Sequence, residues 1–76
     1  MQVTLITDIP VWVRPLVAAL EARGGKVTVA LEPEDVPAEG IVVNRISTRL
    51  VRKNREQAAR FEQALTNWES EGRVVV

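Results

Sequence analysis

Apolar residues fall into two alternating rhythms along this chain. Val3, Thr4, Leu5, Ile6 and Thr7 form a short β-branched and apolar run that starts almost at the first residue, the pattern of a central strand covered on both faces. Val13, Leu16, Val17 and Leu20 then recur at i, i+3, i+4 and i+7, which lays one apolar stripe along a helix. Pro15 lacks an N–H and is tolerated only among the first donors of a helix, so the first turn is expected near Trp12. Gly24-Gly25 supplies the positive φ that ends it. Residues 26–31 alternate Val27, Val29 and Leu31 against Lys26, Thr28 and Ala30, as a half-covered strand near a sheet edge does.

Pro33 and Pro37 interrupt an acidic segment, residues 32–39, which reads as a solvated loop. Ile41, Val42 and Val43 form a third strand that ends in polar residues. Ala58, Phe61, Leu65 and Trp68 then mark the apolar face of a second helix. Its start is open between Asn54 as a cap and a point further back at Ser47 or Thr48. Glu56 and Arg60 stand at i, i+4 and are expected to pair. Gly72 closes the helix, and Arg73-Val74-Val75-Val76 reads as a fourth strand.

The order β-α-β-β-α-β, with helices after the first and third strands, predicts a small α/β domain over 1–76. Its sheet would be open, mostly parallel and Rossmann-like. A ferredoxin-like α+β fold shares the order of elements. The irregular acidic connection and the two doubly apolar strands weigh against that alternative. A strand followed by no covering element leads us to expect that a further domain continues the chain.

Composition narrows the chemistry. With 76 residues, 46% hydrophobic and 26% charged, the chain suits one globular domain, although one this small buries only about 60% of its unfolded surface. It has neither cysteine nor histidine, which removes disulfides, most transition-metal sites and the usual neutral-pH acid/base group. No apolar run is long enough to span a membrane and no signal peptide is recognisable, so the expected location is cytoplasmic. Ten basic and ten acidic residues cancel, but unevenly along the chain. Acids gather at Glu32, Glu34, Asp35 and Glu39, and bases at Arg45, Arg49, Arg52, Lys53, Arg55 and Arg60. Aromatics do not interleave with that basic cluster, so an anionic substrate or a solvated helix entrance suits it better than nucleic acid.

Ligands of open α/β sheets gather beyond the carboxyl ends of the strands. Thr7-Asp8 and Asn44-Arg45-Ile46-Ser47 fall there. If their strands are neighbours, Arg45 can bind a carboxylate or phosphate in bidentate fashion, Ser47 and Asn44 can hydrogen-bond the ligand, and Asp8 can accept from an amine. The alternative is structural, with Asp8 and Ser47 capping helices and Arg45 pairing with Asp8 or a helix end. The first loop lacks the glycine fingerprint of dinucleotide binding, and no P-loop is present. Ile9, Val11 and Trp12 are bulky for that position; they either fold over the core or dock against another domain. No nucleophile or acid/base pair emerges, so the isolated chain is expected to be inactive.

The segment Ile41-Val42-Val43-Asn44-Arg45-Ile46-Ser47, followed by a helix ending Leu65-Thr66-Asn67-Trp68-Glu69-Ser70-Glu71-Gly72 and the strand Arg73-Val74-Val75, resembles the N-terminal segment of ATP-grasp ligases, the ribosomal-protein glutamate ligase type above all. The resemblance implies a Rossmann-like pre-ATP-grasp domain of an ATP-dependent carboxylate–amine ligase. In such enzymes ATP phosphorylates a carboxylate, an amine attacks the acylphosphate, and magnesium clamps the phosphates. It further implies that Arg45, with Ser47 and Asn44, faces the acceptor substrate. ATP and Mg2+ would be held by a downstream ATP-grasp domain, in the same or a separate chain. A standalone α/β interaction module, self-associating or binding a partner through the Ile9-Val11-Trp12 edge or the fourth strand, is the competing expectation.

Overall fold

A computed structural model describes all 76 residues. Strand β1 (Gln2–Ile6) is followed by helix α1 (Pro10–Ala22), strand β2 (Lys26–Ala30), a 3₁₀ turn (Pro33–Asp35), strand β3 (Ile41–Asn44) and helices α2 (Thr48–Lys53) and α3 (Arg55–Ser70). The three strands form one parallel sheet in the order β2-β1-β3. The parallel pairing sets this α/β sheet apart from the ferredoxin-like alternative, whose neighbouring strands run antiparallel.

Strand residues alternate between faces, and that alternation builds two separate apolar layers. On one face Val3, Leu5 and Val13 are buried, with Leu16, Val17, Leu20, Val27 and Val43 packed around them. On the other, Ile6, Ala30, Val42, Leu50, Ala58 and Phe61 are buried, flanked by Leu65, Trp68 and Val75. The two helical stripes expected from spacing are thus the two surfaces that cover the sheet. β1 is central, and its residues from Val3 to Ile6, with the adjoining Thr7, are buried. β2 is an edge strand, but the expected alternation holds only in part: Val27 packs on the core, while Ala30 is buried on the opposite face, Val29 is exposed, and Leu31 lies outside the strand and exposed.

Helix α1 begins at Pro10, two residues ahead of the expected start. Proline at the first helical position brings its preset φ to the turn, and the Thr7 Oγ1 accepts from the Ile9 N–H at 3.0 Å just before it. Pro15 therefore sits inside the helix, where its absent N–H leaves the Val11 carbonyl without an i+4 donor. Val11 is exposed, so water can serve that carbonyl.

The two candidate starts of the second helical segment are both used. Ser47 precedes α2, and Asn54 closes α2 and opens α3, its Oδ1 accepting from the Gln57 N–H at 3.1 Å. The fourth strand is reduced to a single parallel bridge, Val42 to Val75. Val42 N–H donates to the Val74 carbonyl at 3.0 Å, and Val76 N–H donates to the Val42 carbonyl at 2.8 Å, so the tail does run beside β3. Val75 packs on the core while Val74 and Val76 face outward.

The acidic segment is more ordered than a solvated loop. Arg60 pairs with Glu32 at 3.4 Å and with Glu34, and not with Glu56, because the 3₁₀ turn carries both carboxylates back over α3. Arg73 closes the other end of the segment. Its Nε donates to the Gly40 carbonyl and one Nη to the Glu39 carbonyl, each at 2.9 Å, and its guanidinium lies 5.5 Å from the centre of the Trp68 ring. Gly40 has φ 102°, and a Cβ there would stand 2.7 Å from the Gln2 carbonyl oxygen. Only glycine lets the chain pass this close to β1.

Candidate functional site

β1 and β3 are neighbours, so the loops after them meet at the carboxyl edge of the sheet. Backbone contacts set their spacing. Thr7 N–H donates to the Ala30 carbonyl at 3.1 Å and Arg45 N–H to the Ile6 carbonyl at 2.8 Å, extending the sheet pairing into both loops. The Asn44 Oδ1 accepts from the Ile46 N–H at 3.0 Å and tightens the second loop into an Asx turn.

The four candidate residues gather along this edge but do not share one cleft. Asp8 and Ser47, 39 residues apart, are joined: Asp8 Oδ1 accepts from the Ser47 N–H at 2.8 Å and Oδ2 from the Ser47 hydroxyl at 2.6 Å. Neither side chain caps a helix, and Asp8 does not pair with Arg45. Desolvation by burial pushes the Asp8 carboxyl up. It is outweighed by the Ser47 hydroxyl, the Ser47 N–H, the Asp8 N–H and the charge of Arg49, which together hold the group below its ordinary value.

Arg45 turns to the α1 side. Its side chain lines a pocket of ≈ 390 Å³ with Trp12, Val13, Pro15 and Leu16, and it forms no ion pair. Asn44 is exposed on the opposite side, where it borders a groove of ≈ 420 Å³ between α2 and α3 together with Arg52, Arg55 and Phe61. The Ile9-Val11-Trp12 cluster does not fold over the core as a whole: Trp12 is 67% exposed and Val11 53%, while Ile9 is half-buried.

The basic cluster therefore divides four ways. Arg45 faces α1, Arg49 and Lys53 share a pocket with Asp8, Arg52 and Arg55 line the α2–α3 groove, and Arg60 neutralises the acidic turn. Arg49 and Lys53 were not singled out from the sequence as site residues. Their spacing of four on one short helix is the signal that puts them on a common face. No group of three or more Asp or Glu side chains converges in a way that could hold a metal ion. No helix is long and apolar enough to cross a membrane. Compared with protein-family models, with curated proteins and with solved structures, the chain finds no match.

Proposed function

We propose that this chain is the substrate-side, Rossmann-like N-terminal domain of an ATP-dependent carboxylate–amine ligase, with Arg45 holding the acceptor's carboxylate. One observation carries the reading: a guanidinium without an ion pair stands at the carboxyl edge of a parallel sheet, on a backbone anchored to Ile6 at 2.8 Å. Ligands of open α/β sheets collect at that edge, and arginine's planar fork matches a carboxylate. The resemblance of the segment from Ile41 to Ser47, with the helix end and valine-rich strand that follow it, to the ribosomal-protein glutamate ligase type supports the same assignment.

In this reading the domain positions and does not react. A carboxylate takes the γ-phosphoryl group of ATP, ADP leaves, the amine attacks the acyl carbon, and phosphate departs as the amide forms. Holding the acceptor in place makes that attack effectively unimolecular. ATP and Mg2+ belong to the ATP-grasp part of such an enzyme, and no step is assigned to them among these residues. Replacing Arg45 by Ala in the complete enzyme is expected to lower kcat/KM for ATP-dependent phosphate release by about ten- to a hundredfold, the worth of one charge-assisted pair, with the circular dichroism unchanged. Unaltered turnover would remove Arg45 from the site.

The exposure of Val11 and Trp12 favours a second reading, a standalone interaction module that associates through the start of α1. It requires association that grows with concentration. Sedimentation as a monomer at high concentration would count against it.

A further inference from the structure

Asp8 gives Ser47 two of its roughly four acceptor positions and keeps the others. Asp8 lines a pocket of ≈ 410 Å³ whose other charged residues are Arg49 and Lys53, with the polar Gln57 beside them. Those two cations are four residues apart on α2, and neither forms an ion pair: the chain's salt bridges are Arg60 with Glu32 and Arg60 with Glu34. Ile9, Leu31 and Leu50 supply apolar wall between the charges. One hollow thus carries an acceptor on one loop, two unpaired cations on a helix and an aliphatic lining. Opposite charges kept apart around an apolar wall complement a small molecule that bears both.

We infer that this pocket binds an aliphatic α-amino acid, its ammonium on Asp8, its carboxylate on Arg49 and Lys53, and its side chain against Ile9, Leu31 and Leu50. The inference deepens the ligase reading and rests on it for what the bound amino acid is used for, namely as the amine-bearing substrate. Binding itself does not depend on that reading. Arg45, on the α1 side, lies outside this pocket.

Titration of the 15N-labelled protein with L-leucine, followed by amide NMR, is the test, beside 4-methylpentanoate, which lacks the amine, and 3-methylbutylamine, which lacks the carboxylate. L-leucine is expected to give saturable shifts around Asp8, Arg49 and Lys53, with each single-charge analogue weaker by about tenfold or more. Asp8→Asn should reduce L-leucine to the level of 4-methylpentanoate. The double substitution Arg49→Ala, Lys53→Ala, at two exposed positions, should reduce it to the level of the amine, and Arg45→Ala should leave it unchanged. Absence of shifts at these residues, or 4-methylpentanoate binding as well as L-leucine, would overturn the inference. If L-leucine fails to bind while Arg45→Ala still lowers ligase turnover, the pocket is wrong and the ligase reading stands; binding with unaltered turnover means the reverse.

Discussion

The arginines at the two ends of the segment from Arg45 to Arg73 meet opposite fates. At the far end Arg60 and Arg73 are engaged within the fold, one on Glu32 and Glu34, the other on the carbonyls of Glu39 and Gly40. At the carboxyl edge of the sheet Arg45, Arg49 and Lys53 have no ion-pair partner, although the chain carries as many acidic as basic residues. Even the one carboxylate nearby, Asp8, is tied to Ser47. Arg60 and Arg73 tie distant parts of the fold together, whereas Arg45, Arg49 and Lys53 make no such tie.

That contrast orders the effects expected from substitution. Gly40→Ala is expected to cost the most, roughly 2–4 kcal/mol by urea denaturation, because it forces a side chain to positive φ and against the Gln2 carbonyl. Asp8→Ala should cost about 1–3 kcal/mol by leaving the Ser47 N–H without its acceptor. The Asp8 contribution should also depend on pH. Because its carboxyl is held below the ordinary value in the folded state, the stability it adds is complete above that ordinary value and is lost as pH falls through the lowered one. The difference between the protein and Asp8→Asn, followed by thermal melts from neutral to acid pH, should shrink in that window; a difference independent of pH would mean the group is not shifted.

Arg73→Ala should cost about 1–2 kcal/mol through two lost hydrogen bonds and the Trp68 contact, and Arg60→Ala less than about 1 kcal/mol, since that network is open to solvent. Arg45→Ala should change stability by no more than about 0.5 kcal/mol. A larger loss for Arg45→Ala than for Arg73→Ala would break the comparison, for the carboxyl edge would then be structural.

Much of the fold was legible in local spacing. The stripes Val13-Leu16-Val17-Leu20 and Ala58-Phe61-Leu65-Trp68 each cover one face of the sheet, and the apolar run from Val3 to Ile6 is its central strand. Pro15 taken alone predicts a start near Trp12, but Pro10 is a ready-made first residue and sets the start of α1 two residues earlier. The expected Glu56–Arg60 pair is replaced by contacts spanning 28 and 26 residues, which helix periodicity does not register. Asn44, expected beyond β3, is its last residue, whereas Asp8, Arg45 and Ser47 were recognisable as residues following strands. That Asp8 and Ser47 bond each other while Arg45 and Asn44 lie on different sides of the sheet was not.

The sequence by itself determined where strands and helices form and which sides of them are apolar, because periods of 2 and 3.6 are written into neighbouring residues. The tertiary structure alone decided that β3 is the strand that pairs with β1 on the side away from β2, since one parallel backbone pairing looks chemically like another until the helices are packed on both faces. From that order follows the division of a single basic cluster among separate surfaces: each side chain is assigned its side by the strand or helix that carries it, and by what packs beneath.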